Sequence, residues 1–363
     1  MDKLLTLILA AGKGTRMQSQ LTKVLHQVAG KPMLEYVIEK SISLNSEKTV
    51  CIVGYQSQKV MDQIDYNNVR FVKQEEQLGT GHAVLQAKEY IENHSGPVLV
   101  LCGDTPLLTV KTLSKMIDYY QVNDTGATVL TAKVDNPEGY GRIIRDSEDN
   151  LIRIVEDKDA TDSEKTINEI NSGVYCFDSK MLIDFFAEMD CNNAQQEYYL
   201  TDAIAYINNM GKKVIPVVVE DNKEIVGVNT RVNLAKAEKV IRKRINKRHM
   251  INGVTILDPE TTFIDEDVEI GNDTTIYPFT YIEGNSKIGT NTVVGPHSRI
   301  VDAQIGNNVN LKANCNIWQS IIKDQSVLGP FAYIRPGSTI EKGVKVGDFV
   351  ELKKASIGEG TKV

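Results

Sequence analysis

The chain has 363 residues, a formal net charge of −7, 41% hydrophobic residues and 25% charged ones. Its length exceeds the roughly 250 to 300 residues at which one core stops growing, so two domains are expected. The acidic balance argues against a general nucleic-acid binder, and no apolar run approaches the ~20 residues of a membrane helix, so no stable membrane insertion is expected.

The chain begins with an apolar strand over residues 4–10 that runs into Ala-Ala-Gly-Lys-Gly-Thr-Arg-Met (10–17). Gly12 and Gly14 lack a Cβ, so this backbone can take positive φ and bring its N–H groups close to anionic oxygens. Lys13, Arg16 and then Lys23 add positive charge. A phosphate-binding loop is therefore expected, although the pattern is neither a Walker A motif nor G-x-G-x-x-G, since Met17 stands where a third glycine belongs. A secretory signal is rejected, because the apolar run is short and leads into cations instead of a cleavage site.

Further strands are expected over 50–53, 98–102, 128–134 and 173–177, with helices over 32–43 and 110–120. Apolar strands alternating with helices imply a mostly parallel sheet covered on both faces, whose ligands sit beyond the carboxyl ends of the strands. There the strand 98–102 ends in Gly103-Asp104-Thr105-Pro106. The Asp104 carboxylate, with Asn229 as a second hard-oxygen donor, is a candidate Mg²⁺ site. His82 reads as a structural hydrogen bonder, and Cys102 as a buried strand cysteine. The five cysteines are scattered with no C-x-x-C pair, which fits a reducing cytoplasm.

A basic helix over 231–250, with Leu234, Ala237, Ile241 and Ile245 as its apolar stripe, reads as a linker between domains. Beyond residue 260 the period changes to six: Ile264, Ile270, Ile276, Ile282, Ile288, Val294 and Ile300 begin a series that continues to Val363 through three five-residue steps. This is the hexapeptide pattern of a parallel β-helix, each aliphatic side chain pointing inward. Gly271, Gly289, Gly295, Gly306, Gly329, Gly347 and Gly358 follow inward residues and are expected at tight corners. The series ends on an inward position without a polar cap, so a C-terminally shortened piece of a longer protein is expected.

The motifs 9–17, Gln-Leu-Gly-Thr-Gly-His-Ala (77–83), Gly-Asp-Thr-Pro-Leu (103–107), Gly-Tyr-Gly-Arg-Ile (139–143), Val-Glu-Asp-Lys-Asp-Ala (155–160), Glu-Ile-Asn-Ser-Gly-Val-Tyr (169–175) and Glu-Tyr-Tyr-Leu-Thr-Asp (197–202), together with the hexapeptide half, resemble the bacterial N-acetylglucosamine-1-phosphate uridylyltransferase/glucosamine-1-phosphate acetyltransferase family over the whole length. The resemblance implies a Rossmann-like α/β nucleotidyltransferase domain at 1–229, a linker helix at 230–250 and a left-handed β-helix at 251–363. It implies transfer of UMP from UTP to N-acetylglucosamine 1-phosphate. Arg16 and Lys23 would bind the triphosphate and stabilise charge at the α-phosphorus. Leu9, Ala10, Ala11, Gly12, Gln74, Gly79 and Thr80 would bind the uracil end, and Gly141, Glu156, Asn171 and Asn229 the amino sugar. Asp104 and Asn229 would hold Mg²⁺. On the β-helix, Arg335 and Lys353 match residues that bind the phosphate of glucosamine 1-phosphate. Acetyl-CoA would be co-substrate of the full-length protein only, in a homotrimer, because the catalytic histidine would lie beyond Val363. Two positions depart from the family: Thr22 stands where Pro is common, and Gln196 where Gly is common. Another sugar-1-phosphate nucleotidyltransferase with a β-helix, or a non-catalytic scaffold, are the rival readings.

Overall fold

The computed structural model describes residues 3–123 and 125–363. The chain forms two compact units, residues 1–26 with 32–237, and residues 27–31 with 238–363.

The first unit is a nine-stranded sheet. Its strands are β1 (Leu5–Ala10), β2 (Lys48–Val53), β3 (Val69–Lys73), β4 (Pro97–Cys102), β5 (Ala127–Lys133), β6 (Arg142–Arg145), β7 (Leu151–Val155), β8 (Glu169–Asp178) and β9 (Val214–Val218). The main path runs β9-β5-β8-β4-β1-β2-β3, with the β6–β7 hairpin joined through β8. Strands β4, β1, β2 and β3 are mutually parallel, whereas β8 runs antiparallel between β4 and β5. Successive side chains of a strand point to opposite faces. Ile8, Cys51 and Leu99 accordingly join one buried cluster, and Leu7, Val50 and Val98 the other. Helices Met33–Ser43 and Val110–Val122 cover the first face through Leu34, Val37, Ile38, Leu113 and Met116, while Ser179–Phe185 and Asp202–Asn209 cover the second through Leu182, Phe185, Ile204 and Ile207. Truncating a fully buried residue such as Leu7 to alanine would cost about 2–5 kcal/mol. This double burial makes the strand runs continuously apolar, and it leaves the loops after β1 and β4 side by side.

The second unit is a left-handed parallel β-helix of three six-stranded parallel sheets. The inward residues stack coil upon coil: Ile264, Ile282, Ile300, Ile317, Ile334 and Leu352 share one ladder, and Ile270, Ile288, Ile305, Ile322, Ile340 and Ile357 another. The glycines play a different role from the one expected. Of the seven singled out, only Gly329 has positive φ (82°). The corners fall two or three residues after each inward side chain and are left-handed at Asn291, Asn308, Phe279, Phe331 and Phe349. Gly289 is required by close approach instead: a Cβ there would lie 2.6 Å from the Gly306 carbonyl carbon of the next coil.

Residues 27–31 form a tight hairpin whose Ala29 and Gly30 both have positive φ, the pattern of a type I′ turn. Within this unit the Ala29 N–H donates to Glu238 Oε2 at 2.7 Å, and Lys31 pairs with Asp267 at 2.8 Å. Arg231–Ile251 is one helix with Ala237, Ile241 and Ile245 buried; among the described residues no helix is long and apolar enough to cross a membrane.

Candidate active site

The carboxyl ends of β1 and β4 are paired neighbours, Leu9 opposite Cys102, so the loops that follow them share one edge. A cleft of about 290 Å³ opens there. All seven residues expected at the uracil end, Leu9, Ala10, Ala11, Gly12, Gln74, Gly79 and Thr80, line it together with Lys23 and Asp104.

The loop owes its shape to two glycines with different tasks. Gly14 is left-handed (φ 62°), and a Cβ there would lie 2.5 Å from Lys23 Cβ, so the lysine stem lies directly across it. At Gly12 a Cβ would meet nothing within 4 Å, and φ is not positive. Gly12 therefore leaves open space in the cleft and does not relieve strain.

Lys23 is the hinge of the charged cluster. Its ammonium donates to Asp104 Oδ2 at 2.6 Å and to Asn229 Oδ1 at 3.0 Å. The Lys23 and Asp104 side chains are only 16% and 14% exposed, which limits solvent screening of the pair. Asp104 and Asn229 come from distant stretches tied together by the Val228 N–H, which donates to the Asp104 carbonyl at 2.9 Å. Arg16 lies exposed on the single turn Thr15–Met17. Tyr140 lies near these charges: burial first and then the Asp104 carboxylate raise its phenol above the ordinary value, while Arg16 opposes the rise. Tyr140 was not singled out from sequence, although it lies within the 139–143 motif.

Gln74 is buried, and its amide nitrogen donates to the Gly79 carbonyl and to His82 Nδ1, each at 3.1 Å. His82 Nε2 meets the side-chain amide of Gln86, also at 3.1 Å, so His82 serves as a structural bridge under the cleft. Cys102 is half-buried at the strand end and lines the cleft, so it is less enclosed than the strand reading implied. Burial pushes its thiol up to about 12, with Asp104 adding to the rise and Lys23 opposing it, and such a thiol is a poor nucleophile.

Of the residues expected at the sugar, none lines that cleft; Gly141, Glu156 and Asn171 gather in a second group, whereas Asn229 stays with Lys23 and Asp104. The Asn171 N–H donates to the Gly141 carbonyl at 2.8 Å, and a Cβ on Gly141 would lie 3.6 Å from Glu156 Oε2. Asn171 sits at a break in the β8–β5 register, where Gly173 has φ 77°; this bulge aims its side chain at Tyr175, to whose hydroxyl it donates at 2.7 Å. Glu156 accepts from the Thr201 hydroxyl at 3.1 Å. Burial raises its carboxyl above the ordinary range, Thr201 opposes the rise, and Asp202, Asp159 and Glu197 add to it. Glu197 also lines the cleft.

The two departures carry structural signatures. Thr22 has φ −59° and ψ 142°, values that suit proline, and its buried hydroxyl has no hydrogen-bond partner. Gln196 has φ 55°, the region that favours glycine. In the second unit, Arg335 and Lys353 follow the paired inward residues Ile334 and Leu352, so they occupy equivalent positions on successive coils. Arg335 is held by Glu351 at 2.8 Å and Lys353 is exposed.

Residues 5–242 match the family model described as nucleotidyl transferase, and residues 259–363 match the GMPPB C-terminal domain. The chain is 50% identical to the bifunctional protein GlmU of Acetivibrio thermocellus over 363 residues, covering 100% of this chain and 78% of that one. It is 49% identical to the bifunctional protein GlmU of Clostridium beijerinckii, covering 98% and 78%. Among solved structures, a UDP-glucose pyrophosphorylase complexed with UDP-glucose shares the fold with a TM-score of 0.57 at 20% identity, covering 67% of this chain and 100% of that one. A structure of a putative glucose-1-phosphate thymidylyltransferase from Bacillus anthracis in complex with a sucrose matches with a TM-score of 0.53 at 20% identity, covering 65% of this chain and 94% of that one.

Proposed function

Since this chain belongs to the bifunctional GlmU family of nucleotidyltransferases, we propose that its first unit transfers UMP from UTP to N-acetylglucosamine 1-phosphate, releasing pyrophosphate and leaving UDP-N-acetylglucosamine. The observation that carries the reading is the convergence of Lys23 on Asp104 and Asn229 at the edge of the cleft bounded by Gly12, Gln74, Gly79 and Thr80. Nucleotidyl transfer depends on positioning and charge stabilisation more than on covalent catalysis, so these groups suffice without a nucleophilic side chain.

In this reading Gln74, Gly79, Thr80 and the backbone of 9–12 hold the uracil end, and Gly12 leaves room for phosphate. Arg16 and Lys23 offset charge that develops at the α-phosphorus. Asn171, Gly141 and Glu156 hold the amino sugar so that its phosphate oxygen attacks in line, and Asn229, beside Lys23, would be a further sugar contact. The P–O bond to the β-phosphate breaks, and the electron pair leaves with pyrophosphate.

The residues fit a divalent metal, Mg²⁺ in our reading. Two hard oxygens, one carboxylate and one amide, already converge on one cation, the Lys23 ammonium. An ion that takes its remaining ligands from substrate phosphates needs only one or two protein groups. When bound by Asp104 and Asn229, such an ion would neutralise phosphate charge and fix the triphosphate. In the second unit, Arg335 and Lys353 would bind the phosphate of glucosamine 1-phosphate, in a homotrimer.

The test is pyrophosphate release with N-acetylglucosamine 1-phosphate and UTP, dTTP, ATP or GTP in turn. UTP is expected to be preferred, and equal rates with another nucleotide would overturn the substrate assignment. Asp104→Ala should lower kcat by about 10³-fold or more; near-normal turnover at saturating metal would overturn the metal assignment.

A further inference from the structure

We propose that Lys23 is the resident cation of the metal pocket, and that a divalent ion binds there only as the arriving nucleotide draws Lys23 away. The inference rests on the reading that Asp104 and Asn229 are the metal ligands. Both oxygens that would hold the ion are already taken, at 2.6 Å and 3.0 Å, by one ammonium. An ion ligated by Asp104 Oδ2 would share that oxygen with the Lys23 charge in a site sheltered from water, where like charges repel strongly.

The surroundings permit such an exchange. The Lys23 stem is fixed, since the Cβ position of Gly14 lies 2.5, 3.3 and 3.4 Å from its Cβ, Cγ and Cδ. Movement is therefore confined to the end of the side chain, and the stem lies against the glycine loop that would carry phosphate. The pocket does not depend on Lys23 for its shape. The Val228 N–H ties the Asp104 backbone to the segment bearing Asn229, and the Cβ position of Gly227 lies 3.2 Å from Asn229 Nδ2 and 3.6 Å from Asp104 Oδ2. When phosphate oxygens offer Lys23 a second anionic partner, the carboxylate becomes free for the metal. Metal and nucleotide therefore bind with positive coupling, and by linkage each raises the affinity of the other by the same factor.

The test measures Mn²⁺ binding to the whole chain by electron spin resonance, with and without a non-hydrolysable UTP analogue. In the wild-type protein the analogue should tighten Mn²⁺ binding at least tenfold. Without nucleotide, Lys23→Met should bind Mn²⁺ at least tenfold more tightly than wild type, and Lys23→Gln should do the same, with folding of each verified by circular dichroism. Asp104→Asn should lose Mn²⁺ binding in both conditions. If both neutral variants bind Mn²⁺ no more tightly than wild type while Asp104→Asn abolishes binding, the resident-cation proposal falls and the metal assignment stands. If Asp104→Asn binds Mn²⁺ as wild type does, the metal assignment fails and this proposal with it.

Discussion

Replacing Gly14 and Gly12 separately by alanine tests the loop most directly, because the same added methyl group meets opposite surroundings. At Gly14 an alanine takes a left-handed backbone that costs about 1–2 kcal/mol. Its Cβ would also lie 2.5 Å from Lys23 Cβ, and overpacking of this kind costs about 1–3 kcal/mol. Relief to ordinary van der Waals separation needs the Lys23 stem to shift by roughly 1 Å, a misplacement that costs about 10²-fold in rate. Gly14→Ala should thus lose about 2–5 kcal/mol in urea unfolding and about 10²-fold in kcat/KM for UTP. At Gly12 the methyl group meets nothing within 4 Å and φ carries no penalty, so stability should stay within about 0.5 kcal/mol. If that space belongs to the nucleotide, KM for UTP should still rise in Gly12→Ala. Wild-type stability and kinetics in Gly14→Ala would refute the packing argument, and an unchanged KM in Gly12→Ala would refute the placement of phosphate.

Further outcomes are expected. Asp202 has its carboxyl pushed up to about 6, first by burial and then by Asp190 and Asp159; the native state then holds the extra proton, so stability should fall as pH rises from about 4 to 6, and Asp202→Asn should flatten that slope in pH-dependent unfolding. His249 is shifted the other way, to about 4, by burial and Arg248, so its contribution should be lost as pH falls from about 6.5 to 4, a dependence that His249→Leu should remove. Gly289→Ala, forced against the Gly306 backbone, should cost the β-helix about 2–4 kcal/mol by thermal unfolding, and a loss below 0.5 kcal/mol would contradict the close approach of coils. Thr22→Pro should stabilise by about 0.4–1 kcal/mol and Gln196→Gly by about 1 kcal/mol, and destabilisation of either in urea titrations would show that the backbone there is not preset for the family residue.

The apolar strands at Leu5–Ala10, Lys48–Val53 and Pro97–Cys102 were legible because both their faces are buried, so no polar alternation masks them. The hairpin Arg142–Arg145 with Leu151–Val155 was not, since Arg142, Arg145 and Arg153 interrupt its pattern and two of these pair with Asp157 and Glu169, partners that no spacing rule identifies. The antiparallel entry of Glu169–Asp178 was hidden as well, because strand direction depends on the path of the connections and not on composition. In the β-helix the inward ladder was plain, whereas the left-handed corners were not, because phenylalanine at Phe279, Phe331 and Phe349 occupies a conformation usually read from glycine. In the site, the loop residues and Asp104 were readable as a strand-end pattern. Tyr140, near Arg16 and Asp104, became visible only through tertiary proximity.

That contrast bears on how glycine should be read in this chain. A glycine answers to φ, to a neighbour or to a ligand, and the three leave different traces. Gly14 answers to both φ and a neighbour, Gly289 to a neighbour alone, and Gly12 to neither. A residue without a side chain, unneeded by its own backbone and facing an open cleft beside two cations, has its explanation outside the polypeptide. The sequence pattern that first suggested a phosphate loop treated Gly12 and Gly14 as equivalent. The structure separates them into one that shapes Lys23 and one that keeps space free, and only the second speaks directly for a ligand.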